Sequence, residues 1–441
     1  MRSERAKNIV LVLVILLLIV QVTKNSSSTS LGKPEQTVTV LHIQTERTGS
    51  CWFSTLEYSY QVPQCELLPV GFVGRVTGRV AMDSDSSSFS QKRLLFESIE
   101  QVVAQKNSVK YWGTTIVISL IQWRVQVLTT LEHYLEEPQA QIVSALLFGG
   151  SWRLDQTQQS LFKTIGIFHS VAASGFNLSF AISFVSGLER FLSRGQMVVL
   201  TLLVGACYLV LAEMSPSLVR AYAMLFVSLM ARQIWRRPAT SSRVFIVSTS
   251  LLVLLFPALS RLIGFQLSVG ATAGIILFAA PLVRNSALII PQTMRFNSQN
   301  MHDIASYIQK MKEYLWDTTL ISVGAQLFVL PLLLYYFGSV SLFGIVATTM
   351  SAWLLPIIFV VGFATIAVLS VVPVLFAVVP LFLVLTVFIT INQSGVNFAQ
   401  YMTIQQSFSV FQLITSYALL AVVLFIQQYK LATNKYQSVS L

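Results

Sequence analysis

Apolar residues run almost unbroken through some stretches of this chain and alternate with polar ones in others, and the two patterns predict different elements. Met1 to Asn8 carries Arg2, Arg5 and Lys7, and an apolar run from Ile9 to Val22 follows. The residues after it, Gln21-Val22-Thr23-Lys24-Asn25, lack the small-residue pattern of a cleavage site, so the run reads as an uncleaved first helix with a cytoplasmic N-terminus. Asn25 to Ser30 is a Ser/Thr linker. From about residue 36 to 110 the period changes to two: Thr37 to Val40, Phe72 to Met82 and Arg93 to Val103 alternate in part, and Gly71, Gly74 and Gly78 punctuate them. This predicts a small β domain of about five strands, of a size that suits an OB-like barrel.

Helical periodicity takes over at Thr114. From there to Leu135 the polar residues Gln122, Arg124, Gln126, Glu132 and His133 interrupt the apolar ones, which predicts an amphipathic helix at the outer interface. A second helical stretch covers Gln139 to Phe148 and stops at Gly149-Gly150, with Trp152 and Phe162 suited to an interface. Beyond it, hydropathy predicts spans near 168–187, 197–213, 217–234, 244–262, 264–284, 318–336, 341–366, 368–391 and 410–428, with an amphipathic helix near 301–316. With the first helix these make ten crossings. The predicted fold is therefore a polytopic α-helical membrane protein with a small extracytoplasmic β-barrel near its N-terminus. Its divisions are a membrane anchor and linker (1–30), the β domain (31–110), extracytoplasmic amphipathic helices (111–165), a multi-helix domain (166–429) and a cytoplasmic tail (430–441).

Composition agrees with that pattern. Of 441 residues 54% are hydrophobic and 11% charged, against roughly 25% charged in soluble domains. A conventional soluble enzyme and a disordered chain are both excluded. No Asp, Glu, Lys or Arg occurs between Thr318 and Tyr429. The net charge of +11 is concentrated in the predicted cytoplasmic segments, which hold 15 Lys/Arg against 5 Asp/Glu, whereas Thr23 to Thr164 holds 12 of each. That is a positive-inside distribution rather than a nucleic-acid footprint. It places both termini in the cytoplasm. Cys51 and Cys65, in the external region, are candidates for a disulfide. Cys207 lies in an apolar span, and no residues have zinc-ligand spacing, so neither a metal nor a cofactor is expected.

Four polar clusters lie at span boundaries or within spans. The first runs His169-Ser170-Val171-Ala172-Ala173-Ser174-Gly175-Phe176-Asn177. The second is Glu213-Met214-Ser215-Pro216-Ser217-Leu218-Val219-Arg220, where Ser215 reads as a helix cap, Pro216 as the first helical residue, and Glu213 as a candidate partner for Arg220. The third is Arg261 followed by Gly264-Phe265-Gln266-Leu267-Ser268, and the fourth is Gly324-Ala325-Gln326 with Pro331 to Gly338, including Tyr335. One such residue commonly bonds a neighbouring helix and nothing more. Four clusters together suggest a polar path shared by several helices. Tyr335 and Phe176 are suited to stacking on bases or, equally, to helix packing. Ser174 does not read as a hydrolytic nucleophile, because Ala172 stands where a nucleophile elbow has glycine and His169 is off its helical face. No catalytic residue is assigned.

In order and wording these clusters resemble the competence domain of the ComEC family. A family stretch similar to "AISGLH" corresponds to Ala172 through Asn177, "SPSvvRA" to Ser215 through Ala221, "GFQLS" to Gly264 through Ser268, and "AQl…lPLLLyyFg" to Ala325-Gln326-Leu327 with Pro331 to Gly338. Leu146-Leu147-Phe148-Gly149 is similar to an upstream "LLLG". The resemblance implies an inner-membrane channel subunit for single-stranded DNA in natural transformation, in contact with membrane lipid. It implies a separate DNA receptor, a cytoplasmic motor and a nuclease as partners. The implied path-lining residues are His169, Ser174, Gly175, Asn177, Ser215, Pro216, Arg220, Gln266, Ser268, Gln326 and Tyr335. Asn177 replaces the family's motif histidine and cannot carry a proton charge near neutral pH. Many family members end in a metallo-β-lactamase-like domain. This chain stops eleven residues after Lys430, so no nuclease is expected in it. Two other readings fit the residues alone: a secondary transporter of a small polar solute, and a non-transporting membrane scaffold. The oligomeric state is open.

Overall fold

The computed structural model describes residues 43–45, 51–54, 59–62, 74–82, 92–101, 109–150, 154–171, 174–234, 240–283, 304–372 and 375–437. The predicted first helix, the Thr37 to Val40 alternation, most of the long basic loop, Trp152 and Cys65 (with its proposed bridge to Cys51) lie outside them.

Among the described residues, five strands precede the helices. Strands β1 (Ile43–Thr45), β2 (Cys51–Ser54) and β3 (Ser59–Val62) pair antiparallel in that order. Strands β4 (Gly74–Met82) and β5 (Lys92–Gln101) form a second antiparallel pair. Its register shifts between Thr77 and Gly78, where a glycine tolerates the local bend of a bulge.

The rest is helical. Helix α1 (Val109–Tyr134) leads into α2 (Gln139–Phe148), α3 (Gln156–Thr164) and the single turn α4 (Phe168–Val171). Then come α5 (Gly175–Ser186), α6 (Arg194–Leu211), α7 (Pro216–Ile234), α8 (Ser241–Leu255) and α9 (Ile263–Gly274), the last continued by a π-helical turn over Ile275–Ala279. The last helices are α10 (Ile304–Phe337), α11 (Gly344–Ser351), α12 (Leu354–Val371), α13 (Val379–Ser394), α14 (Val396–Tyr401) and α15 (Val410–Gln437). Strands β6 (Ser339–Ser341) and β7 (Thr403–Gln405) pair antiparallel between them. Among the described residues, five stretches are long and apolar enough to cross a membrane: Phe168–Ser186, Arg194–Leu211, Tyr314–Phe337, Leu354–Val371 and Val379–Tyr401. Four shorter apolar helices accompany them, at Gln139–Phe148, Ser241–Leu255, Ile263–Ala279 and Val410–Ile426.

Several predicted boundaries move, each for a local reason. The amphipathic helix near 301–316 and the span at 318–336 are one helix, α10, because no glycine or proline separates them. The span at 341–366 divides at Ala352 and Trp353. Pro356 has no N–H to offer the Ala352 carbonyl four residues back, and the Tyr314 hydroxyl donates to that carbonyl instead, at 3.3 Å. The span at 368–391 is interrupted after Val371. Val372 is extended (φ −136°, ψ 115°), the conformation favoured by the residue preceding a proline, here Pro373.

The largest apolar core surrounds α2. Val143 and Ala145 through Phe148 are fully buried, packed with Leu128 and Leu131 of α1, Ile358 and Phe359 of α12, and Leu385 and Phe388 of α13. Phe162 belongs to this core and is 1% exposed, so it is not an interface residue. A second core joins Phe245 and Leu252 of α8 to Phe265, Val269 and Ala273 of α9 and Phe328 of α10. Large apolar side chains also cover the outside: Leu203, Leu254, Phe411 and Phe425 are all more than half exposed. An apolar exterior around an apolar interior suits lipid rather than water as the surrounding solvent.

Candidate functional site

Three helices begin beside one another. A Cβ placed on Gly175, the first residue of α5, would come within 3.2 Å of the Ala221 Cβ on α7. A Cβ on Gly264, the second residue of α9, would lie 4.0 Å from Pro216 Cγ, at the start of α7. One turn further along both helices, the Arg220 guanidinium donates to the Ser268 hydroxyl oxygen, at 3.0 Å from Nε and 2.8 Å from Nη2. Matching positions meet twice, Pro216 with Gly264 and then Arg220 with Ser268. Helices α7 and α9 therefore run parallel here with their starts level.

Local sequence explains the starts. Ser174 is extended (φ −123°, ψ 167°) immediately before α5, and its hydroxyl donates to the Asn177 side-chain oxygen at 3.2 Å rather than capping the helix. The Ser215 carbonyl accepts the first intrahelical bond of α7 from the Val219 N–H at 3.0 Å, and Pro216 occupies the first position, where a missing N–H costs nothing. Leu262 is extended before α9, and its carbonyl accepts from Gln266 N–H at 3.1 Å.

The predicted site residues divide by what they touch. Arg220, Gln266 and Asn177 are buried, and Ser268, Ser174 and Gly175 are half-buried. Gln266 joins three elements: its amide donates to the Ser260 carbonyl at 2.9 Å, and its oxygen accepts from the Tyr336 hydroxyl of α10 at 2.7 Å. Tyr335 packs edge-on against the Tyr336 ring, centroids 4.9 Å apart. Asn177 donates to the Leu146 carbonyl at 2.9 Å, and the Tyr208 hydroxyl donates to the Leu147 carbonyl, also at 2.9 Å. These are carbonyls in the last turn of α2, which have no partner within the helix. Asn177 and Tyr208 thus close the end of the most deeply buried helix. Gln326 serves a different junction, donating to the Ser341 carbonyl of β6 at 3.2 Å. His169, on the single turn α4, and Arg261, at the end of a 3₁₀ turn, are exposed. Phe176 is 42% exposed and stacks with Phe180 and Phe359.

The expected pairing of Glu213 with Arg220 is replaced by another. Glu213 accepts a charge-assisted hydrogen bond from Arg124 of α1. Glu213 and Met214 both adopt left-handed backbone conformations (φ 62° and 47°), which reverse the chain between α6 and α7 and bring the carboxylate onto α1. Nothing in the local pattern of α1 singled out Arg124, which read as one of several polar residues on an amphipathic face. It is 1% exposed. Tyr208 and Ser260 lie in none of the four clusters, and Tyr336 lies in the fourth without being singled out. A tyrosine in an apolar span carries a hydroxyl that needs a partner when buried, and that was the available signal.

Apolar helices with exposed apolar faces, joined at their ends by buried polar residues, define a helical membrane protein. The chain belongs to the Competence protein family, whose model matches residues 146–430. It is 26% identical over 218 residues to ComE operon protein 3 of Bacillus subtilis (strain 168), an alignment covering 49% of this chain and 24% of that protein. The matched region is thus about a quarter of that relative's length. No solved structure matches the chain significantly.

Proposed function

We propose that this protein forms a passage for single-stranded DNA across the cytoplasmic membrane during natural transformation. The observation that carries the reading is the family match over residues 146–430, which contains the helices α5, α7 and α9 whose starts gather the polar motif residues. In this proposal the strand passes the starts of these helices, and the protein catalyses no bond-breaking step. The surface receptor, the motor and the nuclease are separate proteins. The basic residues Arg190 between α5 and α6, Arg194 at the start of α6, and Arg232 near the end of α7 are taken to mark the cytoplasmic side. The starts of α5, α7 and α9 then face outward, toward the N-terminal β domain, which is proposed to be an OB-like barrel. Both termini are cytoplasmic.

The test is deletion of the gene in a transformable host, with surface-bound and internalised labelled DNA scored separately. Expected is normal surface binding with internalisation lost, restored by the wild-type gene. Unchanged internalisation, in a host with no second copy, would overturn the proposal.

A further inference from the structure

We propose that Arg220, with the starts of α5, α7 and α9, is a binding site for a phosphodiester anion, occupied by the backbone of the passing strand. The inference deepens the DNA-passage reading and rests on it.

Arg220 is the first ground. Its side chain is 7% exposed, yet among the described residues it makes no ion pair. A guanidinium has five N–H donors. Here they make three hydrogen bonds to two acceptor atoms, the Ser268 hydroxyl oxygen and the Met224 sulfur, the latter at 3.2 Å. A thioether is a weak acceptor. Both acceptors are neutral, so among the described residues the charge has no counter-charge, and three bonds leave two of the five N–H groups without an acceptor there. The acid nearest in sequence, Glu213, is engaged by Arg124 and does not neutralise Arg220. A buried unpaired charge destabilises a fold, and such a group inside a membrane protein ordinarily marks a functional path.

The helix starts are the second ground. Each helix carries roughly half a positive charge at its N-terminus, with backbone N–H groups that have no partner within the helix. The contacts of Gly175 with Ala221 and of Gly264 with Pro216 bring three such starts together around the first turns of α7. Helices α5, α7 and α9 have 12, 19 and 12 residues, long enough for the dipole to develop. The field of all three and the Arg220 charge have the same sign, and the Glu213 carboxylate in the turn before α7 is held by Arg124 of α1. The arrangement suits one oxyanion at a time, held without base contacts. A strand passing such a point is gripped by its phosphates in turn and read nowhere.

The test uses the full chain in nanodiscs of phosphatidylcholine and a fluorescent single-stranded oligonucleotide, compared with a methylphosphonate oligonucleotide of the same sequence. Wild-type protein is expected to bind the phosphodiester strand and to bind the uncharged strand about tenfold more weakly. Arg220→Met should lower affinity for the phosphodiester strand by about tenfold and reduce the slope of log affinity against log salt by roughly 0.7. Arg220→Lys should fall between the two. Without DNA, Arg220→Met should raise the unfolding midpoint by about 2 °C or more, because the uncompensated charge is gone. A structural arginine would show the opposite, and failure of Arg220→Met to fold would overturn the site. Wild-type binding with unchanged affinity and slope in Arg220→Met would overturn the site and leave the DNA passage standing. No binding by wild type would overturn both. Stabilisation of wild type, but not Arg220→Met, by phosphatidylglycerol nanodiscs without oligonucleotide binding would assign the anion to a lipid headgroup and overturn the strand assignment.

Discussion

Arg124 and Glu213 stand 89 positions apart and form a buried ion pair across the junction between α1 and the turn that opens α7. Among the described residues the Nε and Nη1 atoms of Arg124 are buried without hydrogen-bond partners, so Arg124 meets Glu213 through Nη2 alone. Removing one member of a buried pair strands the other charge, which costs roughly 3–5 kcal/mol. Glu213→Gln is therefore expected to lower the thermal unfolding midpoint in detergent sharply. The double variant Arg124→Met with Glu213→Gln should recover most of the loss, because the buried Arg124 charge is then no longer left unpaired. Equal midpoints for the single and double variants would contradict this. At this scale the sequence was partly legible. It showed that Arg220 lies within an apolar pattern and that Glu213 is near it, and proximity along the chain suggested pairing them. The left-handed turn at Glu213 and Met214 sends the carboxylate to α1 instead. Two arginines competed for one acid, and only the backbone path decides between them. Asn177 illustrates the same limit. Its polarity was evident, whereas its role in closing α2 depends on a carbonyl 31 positions away.

Among elements, the crossing of α9 with α10 is the tightest. A Cβ on Gly274 would lie 2.0 Å from the Gly324 carbonyl oxygen, and one on Gly324 would lie 3.0 Å from the Ala279 Cβ. Backbone meets backbone here, so no side chain can move aside. Close approach through small residues is the usual means of packing helices in lipid, where apolar burial gives no net drive. The π-helical turn over Ile275–Ala279 follows immediately and shifts the later side chains around the helix. Gly274→Ala is expected to destabilise by at least about 1–3 kcal/mol, the usual range for overpacking, read as a lower unfolding midpoint. Gly195→Ala, which meets nothing within 4 Å, should leave the midpoint nearly unchanged. Equal midpoints for the two would contradict the crossing. Element existence was readable from hydropathy: the spans predicted at 197–213 and 217–234 correspond to α6 (Arg194–Leu211) and α7 (Pro216–Ile234). The breaks were less so, because average apolarity is blind to a missing hydrogen-bond donor. Pro356 and Pro373 were the residues to weigh, and a hydropathy window passes over both.

As a whole, the molecule joins a membrane bundle of the Competence family to a polar meeting point of three helix starts. We propose that the strand passes that point. Site-specific photo-crosslinking in transforming cells tests it most directly. A Cβ on Gly264 meets nothing closer than 4.0 Å, and the nearest atom is Pro216 Cγ. Phe425 on α15 is 73% exposed on the apolar exterior. A benzoyl-phenylalanine at position 264 is expected to capture labelled incoming DNA, and one at position 425 to capture lipid alone. DNA captured at 425 and not at 264, or at neither position while uptake proceeds normally, would contradict the account.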